Sequence, residues 1–316
     1  MKILITGAAG NLGGLLAKHL CDNKQLDLHL MIHKKDVSNE LKDKQNIKIF
    51  RADLARKETL MPCINDVDVV VHFAGVLFKH NPEKFLPVTN TQYFKNLLDV
   101  AIGCKVKRVI LISFPHVEGE TTIDNPATGK LDGSPISVHA KTRLEEEKYL
   151  FTQQKKFDFE AISLRVGMVY GKGIIMIDTA NWFAKYGILG IWKKPTWIHL
   201  ISLDDFLSAT SNAITKEEIR GIYHLGDEGH QTLQEFLDII CQYWGHRKPV
   251  RMPLWLINVA ANVFESTSLI LKIRAPLTKD FVRIGMVSYY GDTSSMRKEL
   301  LPELEYKTFK EGLKTF

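Results

Sequence analysis

A glycine turn between the first apolar run and the first helical pattern constrains this chain more than any other feature. Residues 3–6 form a short apolar run, which predicts a buried strand, and residues 15–20 have helical spacing. Residues 6–14, between them, read TGAAGNLGG. The order of strand, spaced glycines and helix is typical of a turn that holds a dinucleotide pyrophosphate.

Each glycine of the turn has a physical role in this interpretation. Gly7 permits the tight turn, Gly10 lets the backbone approach the pyrophosphate, and Gly13 lets the helix pack closely on the strand. The phosphates would then bind at the helix N-terminus, where Asn11 and Leu12 contribute free backbone N–H groups. The alternative, a turn with a purely structural role, is disfavoured by its position between a strand and a helix.

Short apolar runs alternate with longer helical patterns along the first half of the chain. This alternation predicts a parallel sheet with helices on both faces, because strands that are apolar throughout must be covered on both sides. The predicted strands are Ile3–Thr6, Leu28–Ile32, Ile47–Phe50, Val67–Phe73, Val106–Ser113 and Phe159–Arg165.

Composition excludes several other classes of protein. Lys and Arg number 42 against 36 Asp and Glu, a net charge of +6 without any basic block, so a nucleic-acid partner is not expected. A mildly positive field suits a phosphorylated ligand. The four cysteines are far apart and form no CxxC pair, so we expect reduced core residues and no metal site. The apolar run that starts at Met1 leaves no room for a leader peptide, which favours a cytoplasmic protein.

The end of the second strand bears on the choice of cofactor. An acidic residue there would accept hydrogen bonds from the adenosine ribose of NAD, but the chain has His33, Lys34 and Lys35. Cations at this point would neutralise a 2′-phosphate, so the sequence favours NADP over NAD. A solvated basic loop is the alternative interpretation.

Aromatic residues become frequent beyond about residue 168. All five tryptophans lie there, which predicts a smaller, mostly helical cap lining an apolar pocket for a small-molecule substrate. Ordinary core packing is the alternative for each of them. We therefore expect a nucleotide-binding domain over residues 1–167 that also receives about 197–226, and a discontinuous cap within residues 168–316. The aromatic residues that lead to the expected cap are Tyr170, Trp182, Phe183, Tyr186, Trp192, Trp197 and Trp255.

The sequence leaves open whether the protein forms a homodimer.

The longest weakly charged stretch runs from Met252 to Leu271. Pro253 and Glu265 interrupt it, so it is a poor transmembrane segment and no integral membrane segment is expected. We interpret it as an amphipathic helix over a pocket, with peripheral membrane contact as the alternative.

Taken in order, these motifs resemble the short-chain dehydrogenase/reductase superfamily, in particular its extended and atypical branches that include sugar-nucleotide epimerases and dehydratases. The resemblance includes Asp53-Leu54, which in the family contacts adenine, and His72-Phe73-Ala74-Gly75, whose backbone at Ala74 and Gly75 lies along the cofactor. It continues through Asn90, residues 164–171 and residues 199–205. The resemblance implies a doubly wound parallel sheet, the Rossmann fold, with a cofactor of the NAD(P) type.

The resemblance also implies a catalytic Tyr and Lys four residues apart on one helix face. In the register set by Glu147, these positions hold His139 and Arg143. His139 could act as acid/base, since an imidazole titrates near neutral pH. Arg143 could bind ribose hydroxyls but cannot carry the proton. The alternative is an exposed helix face on which Arg143 pairs with Glu147.

The family's catalytic Ser or Thr follows the fifth strand, where Ser113 remains but Phe114 and Pro115 follow it, with His116 next. Ser113 either takes part in catalysis or closes a strand, and His116 either enters the site or is a loop residue. Two functions remain open. One is an NADP-dependent oxidoreductase of the epimerase/dehydratase type, acting on a small carbonyl or alcohol with His in place of Tyr. The other is a non-catalytic NADP-binding redox sensor or assembly factor.

Overall fold

The computed structural model describes residues 1–75, 81–271 and 277–316. Its centre is a seven-stranded sheet in the order β11-β6-β5-β4-β1-β2-β3, in which every neighbouring pair is parallel. The strands are β1 (Lys2–Thr6), β2 (Asp27–Ile32), β3 (Ile47–Arg51), β4 (Val69–His72), β5 (Arg108–Ser113), β6 (Glu160–Val166), β7 (Met168–Tyr170), β8 (Gly190–Trp192), β9 (Trp197–Ile198), β10 (Leu200–Ser202), β11 (Gly221–Leu225), β12 (Gln231–Thr232) and β13 (Val250–Met252).

Helices connect these strands and cover both faces of the sheet. They are α1 (Asn11–Leu20), α2 (Asn39–Lys42), α3 (Met61–Ile64), α4 (Pro82–Leu86), α5 (Tyr93–Gly103), α6 (Val138–Gln154), α7 (Ile175–Lys185), α8 (Leu203–Thr215), α9 (Leu233–Tyr243), α10 (Leu254–Leu271), α11 (Lys279–Gly285) and α12 (Phe309–Gly312). This is the predicted doubly wound Rossmann architecture, with strand order reversing beside β1.

All six predicted strands are present, with ends shifted by at most two residues. The seventh strand, β11, was not predicted because Tyr223 and His224 lie between Ile222 and Leu225, which leaves no continuous apolar run. It lies parallel to β6, with Gly221 opposite Ile162. Residues of the predicted 197–226 insertion therefore do reach the central sheet, whereas the proposed division into domains stays a prediction.

Alternate residues of the strands point into two separate cores, which is why the strands are apolar throughout. Ile3 and Ile5 of β1 face the core that α1 and α8 cover, whereas Leu4 faces the core covered by α5. The four cysteines are unpaired, and three of them are buried.

The C-terminal half adds three two-stranded sheets, which pair β10 with β7, β12 with β9, and β13 with β8. The predicted helix over 252–271 is α10. Among the described residues, no helix is both long and apolar enough to span a bilayer.

The aromatic residues of this half differ in exposure, and the aromatic-lined cap stays a prediction. Trp182, Tyr186, Trp197 and Trp255 each leave roughly half or more of the residue exposed. Trp192 is buried instead, and its indole N–H donates to Thr196 Oγ1 over 2.9 Å. The number of tryptophans did not reveal their exposure, because a count does not show which face of a helix or strand meets the core.

Candidate functional site

The glycine turn has the geometry that its sequence predicts. Gly7 has φ +69°, and a Cβ atom there would meet the backbone N of Ala74 at 3.0 Å. A Cβ atom at Gly13 would lie 2.6 Å from the Gly7 carbonyl oxygen, so only glycine lets α1 pack this closely on the turn. The structure adds a second reason for glycine at position 10, since its Cβ would lie 2.9 Å from the same oxygen. Gly10 is therefore required by the turn itself as well as by any ligand path.

The N-terminus of α1 carries no side-chain cap, because its N-cap residue is Gly10. Backbone N–H groups of the first turn are thus available to an anion. The Asn11 side chain is engaged elsewhere: its amide donates to the Gly173 carbonyl over 2.7 Å, and its oxygen accepts from the Ile175 N–H. Asn11 can therefore offer its backbone to a phosphate, while its side chain fastens the turn to the segment before α7.

A cleft of about 450 Å³ opens beside the turn, at the carboxyl ends of β2 and β3. Two residues predicted to set cofactor preference, His33 and Lys34, line it together with Asp53, the predicted adenine contact. Arg51 and Arg56 also line it. The structure thus collects four basic side chains and one carboxylate at this end of the site.

Sequence reasoning missed Arg51, although strand register could have found it. Arg51 pairs with Ile32 across the parallel ladder, which places it beside the residues that follow β2. Its guanidinium donates to the His33 carbonyl over 2.6 Å and to Asp36 over 3.0 Å. The carboxylate nearest the end of β2, Asp36, is therefore already paired with a cation.

The end of β4 forms the opposite part of the site. Thr6 Oγ1 lies 2.9 Å from His72 Nδ1 and accepts the Ala74 N–H over 3.2 Å, which ties β4 to the glycine turn. Gly75 follows, and a Cβ atom there would overlap the Arg143 guanidinium at 2.2 Å. Two residues predicted to contact the cofactor, Gly75 and Arg143, are thus brought together from distant parts of the chain.

Arg143 is buried on α6 and forms an ion pair with the fully buried Glu146, at 2.6 Å between Nη1 and Oε2. The alternative of an exposed face with an Arg143–Glu147 pair is therefore wrong on both counts. Burial raises the pKa of Glu146 to about 7, although Arg143 lowers it. Burial also lowers the pKa of His72, and the nearby Arg143 charge lowers it further.

His139 lies one turn before Arg143 on the same helix and is only 2% exposed. The Asn90 amide lies 3.4 Å from His139 Nδ1, and the Phe114 ring meets the imidazole edge to face at 4.7 Å. Asn90 also donates to Thr142 Oγ1. The predicted acid/base candidate is therefore an enclosed imidazole held between a buried amide and an aromatic ring.

Ser113 and His116 lie on either side of Phe114 and do not join His139 directly. Ser113 ends β5 as a buried residue, and its hydroxyl has no hydrogen-bond partner among the described residues. His116 Nε2 lies 3.0 Å from the Val287 carbonyl, and the Phe114 ring stands 5.0 Å from the His116 ring. Desolvation lowers the pKa of His116 to about 4, so the ring is neutral at physiological pH. The Phe114 ring lies between the two imidazoles where the resemblance implies a hydroxyl.

These features agree with the comparison against family models. The model of the NAD dependent epimerase/dehydratase family matches residues 3–186, more than half of the chain. The chain belongs to this family. The match covers the glycine turn, the basic cleft, the end of β4, Phe114 and the His139–Arg143 helix.

Individual relatives of this epimerase/dehydratase family member are distant. A trifunctional UDP-glucose 4,6-dehydratase/UDP-4-keto-6-deoxy-D-glucose 3,5-epimerase/UDP-4-keto-L-rhamnose-reductase of Arabidopsis thaliana is 25% identical over 77% of this chain and 39% of its own length. The chain thus spans about two fifths of that protein. A uronate dehydrogenase of Pseudomonas putida is 25% identical over 71% of this chain and 82% of its own length.

The fold has solved counterparts. The crystal structure of a UDP-glucuronic acid 4-epimerase from Bacillus cereus, in complex with UDP-glucuronic acid and NAD, superposes with a TM-score of 0.78. The match covers 100% of this chain and 97% of that one, at 18% identity. This likeness establishes the fold. The family implies a nicotinamide dinucleotide, and the uncapped α1 N-terminus and the adjoining cleft fit its pyrophosphate and adenosine parts.

A buried charge network behind α6 is a second feature that sequence reasoning missed. Arg165 of β6 is fully buried and donates to Glu147 on α6 and to Glu118 after β5. Glu118 also accepts the backbone N–H groups of Gly129 and Lys130. The network fixes α6 on the sheet, so it positions the helix that carries His139. Its sequence signal was the isolated arginine inside the apolar strand β6.

Proposed function

We propose that this family member is an NADP-dependent oxidoreductase in which His139 replaces the usual tyrosine. The observation that carries the cofactor part is the basic cleft: His33, Lys34, Arg51 and Arg56 converge where the adenosine ribose of a bound dinucleotide belongs. Asp36, the carboxylate nearest the end of β2, is paired with Arg51. A 2′-phosphate would therefore meet His33 and Lys34 there, beside the paired Arg51 and Arg56, whereas NAD has no phosphate to place at this position.

The B. cereus neighbour is in complex with NAD, so NAD is the alternative cofactor. Titrations of the protein with NADPH and with NADH decide between the two cofactors, and NADPH should bind more tightly. Lys34→Ala should weaken NADPH about tenfold, the order expected for losing a hydrogen bond to a charged group, and leave NADH unchanged. Lys35→Ala is the matched control, because Lys35 is equally exposed but does not line the cleft. Equal affinities for both cofactors would refute the NADP assignment.

For the chemistry, Arg143 would hold the nicotinamide ribose beside Gly75, and His139 would exchange a proton with the substrate oxygen. The cofactor supplies or accepts the hydride. Asn90 and Phe114 fix the imidazole between an amide and a ring. We propose a small carbonyl or alcohol as the substrate. Nucleotide sugars and uronates deserve the first assays because two relatives are named for such compounds.

The acid/base role of His139 requires an activity to test it. NADPH consumption would first be screened over nucleotide sugars, uronates, aldehydes and ketones. With a substrate that the protein turns over, His139→Phe should slow turnover by roughly 10²–10⁴-fold while leaving NADPH affinity unchanged. Full activity of that variant would exclude His139 as the acid/base.

One observation favours a second function, an NADP-binding sensor or assembly factor without catalysis. His139 is almost completely buried, and Phe114 packs against it where the resemblance implies a catalytic hydroxyl. Tight NADPH binding together with no turnover over the whole screen would favour the sensor.

A further inference from the structure

The solvent-facing side of α10 is unusual for a surface helix because its first three turns are mainly apolar. Ile257 and Ala261 face the core, as expected for a helix packed on a domain. On the opposite side, Trp255 is 66% exposed, Val259 48% and Val263 55%, at a spacing of four residues. No exposed residue of the helix from 254 to 268 is charged. A helix that needed only to cover the core would have a polar outer face.

Residues of neighbouring elements extend this surface. Val250 precedes α10 and donates its N–H to the Leu189 carbonyl over 2.9 Å, which places it beside Ile188. Both Val250 and Ile188 are more than half exposed. We call Ile188, Val250, Trp255, Val259 and Val263 together the docking face. Trp182 on α7 and Tyr186 directly after that helix are both exposed and precede Ile188 in the chain.

Basic residues predominate in the segments that border the docking face, although exposed Asp178 lies one turn before Trp182. Residues 179–194 contain three lysines and no acidic residue, and residues 244–264 contain two arginines and a lysine and likewise no acidic residue. Lys185, Arg247 and Lys248 are exposed. From a neighbouring helix, Asp238 pairs with Arg251 at 2.8 Å and lies 4.0 Å from Lys248. The border of the face is therefore basic.

We propose that the docking face binds the surface of a bilayer that contains anionic phospholipids. Exposed tryptophan and aliphatic side chains enter the interface between headgroups and acyl chains, while the surrounding lysines and arginines attract the lipid phosphates. Charge complementarity selects this occupant over a second copy of the chain, since pairing two such faces would bring like charges together. The helix lies along the membrane and does not cross it, in keeping with the described helices.

Sedimentation with vesicles tests the proposal on the full chain. The protein should bind vesicles made of equal parts phosphatidylcholine and phosphatidylserine, and it should not bind vesicles of phosphatidylcholine alone. Added salt should weaken the binding. Trp255→Ser combined with Val259→Ser should reduce binding to background. Lys185→Glu and Lys248→Glu should each weaken it by at least roughly fivefold, the order expected per basic residue.

Matched controls lie elsewhere on the surface. Trp197→Ser removes a tryptophan that is 48% exposed outside the docking face, and Lys155→Glu with Lys156→Glu reverses two exposed charges at the end of α6. These variants should bind vesicles as the parent does. All variants should keep the parental melting temperature and NADPH affinity, which shows that the fold is intact.

Three results would overturn the proposal. Binding to both kinds of vesicle with equal affinity would show that the docking face does not require anionic lipid. A parent that binds no vesicles but sediments as a dimer, and becomes monomeric on Trp255→Ser, would assign the face to a second copy. A monomeric parent that binds neither kind of vesicle would leave the face to an acidic protein partner or to none.

Discussion

Replacing Arg143 by methionine should make the stability of the protein depend on pH above neutrality. Methionine keeps much of the aliphatic volume and removes the guanidinium that pairs with Glu146 at 2.6 Å. Glu146 is completely buried, and one of its oxygens has no partner among the described residues. Loss of Arg143 therefore leaves a buried carboxyl group without its counter-ion.

The magnitude follows from the pKa of Glu146, which burial raises to about 7 from an ordinary value of 4.5. A raised carboxyl pKa means that the folded state binds the proton more tightly than the unfolded chain. The free energy of unfolding therefore falls as pH rises, by about 3 kcal/mol in total, and levels off above pH 7 in the parent. Arg143→Met moves this pKa upward, so the fall continues at up to about 1.4 kcal/mol per pH unit beyond pH 7.

The assay is urea unfolding of parent and variant at pH 6, 7, 8 and 9. At high pH the variant should be less stable by about 3–5 kcal/mol, the usual result of breaking a buried ion pair on one side. The double variant with Glu146→Gln should lose the slope because the charge is gone. Lys148→Met, which breaks an exposed pair with Glu145 on the same helix, should change stability by less than about 1 kcal/mol at every pH. His72 stays neutral in the folded protein throughout this window, because burial holds its pKa well below 6.5.

An equal loss of stability at pH 6 and pH 9 would refute the reasoning, since it would assign the cost to lost packing. The same variants separate two roles of Arg143. If the double variant binds NADPH as the parent does, Arg143 acts by holding Glu146. If binding is lost while stability is retained, the guanidinium contacts the cofactor.

Three further predictions concern groups whose environment the structure defines. His199 accepts the Gly291 N–H at Nδ1 and donates from Nε2 to the Asp227 carbonyl, and burial lowers its pKa to about 4. Lowering the pH from 7 to 5 should therefore destabilise the parent by about 2 kcal/mol more than it destabilises His199→Gln, as measured by urea unfolding. Gly13→Ala should cost about 1–3 kcal/mol, whereas Gly103→Ala, with nothing within 4 Å of the new methyl, should be neutral or stabilising in the same assay. Arg165→Met should cost about 3–5 kcal/mol and lower the melting temperature, because two buried carboxylates lose their cation.

The parts of the fold that could be predicted are those that local sequence dictates. Parallel strands buried on both faces must be apolar at every position, so six of the seven central strands were readable as runs. The glycine turn was readable because a tight turn and a close helix crossing leave room for nothing larger, as the 2.6 Å approach at Gly13 shows. The strand β11 was not predicted because Tyr223 and His224 interrupt its apolar run, although both side chains are buried.

What could not be predicted depends on which face of a helix or strand meets which neighbour. Arg51 joins the basic cleft through its register with β2, and register is a property of two strands that are far apart in sequence. Trp255 and Val259 have a spacing that fits burial equally well as exposure, and the choice is made by Ile257 and Ala261. Membrane contact was the less favoured interpretation of this stretch because its sequence does not show which side is covered.

The same reasoning applies to the candidate catalytic helix, where a rotation of about 100° per residue decides the partners. Spacing alone lets Arg143 reach either Glu146 or Glu147. The fully buried Arg165 resolves this choice: it draws Glu147 toward β6 and leaves Glu146 for Arg143. The face that carries Arg143 also carries His139, and both therefore turn inward, toward Gly75 and Phe114. A buried arginine near the end of β6 thus sets the rotation of α6, and with it the position of the residues on which both proposed functions depend.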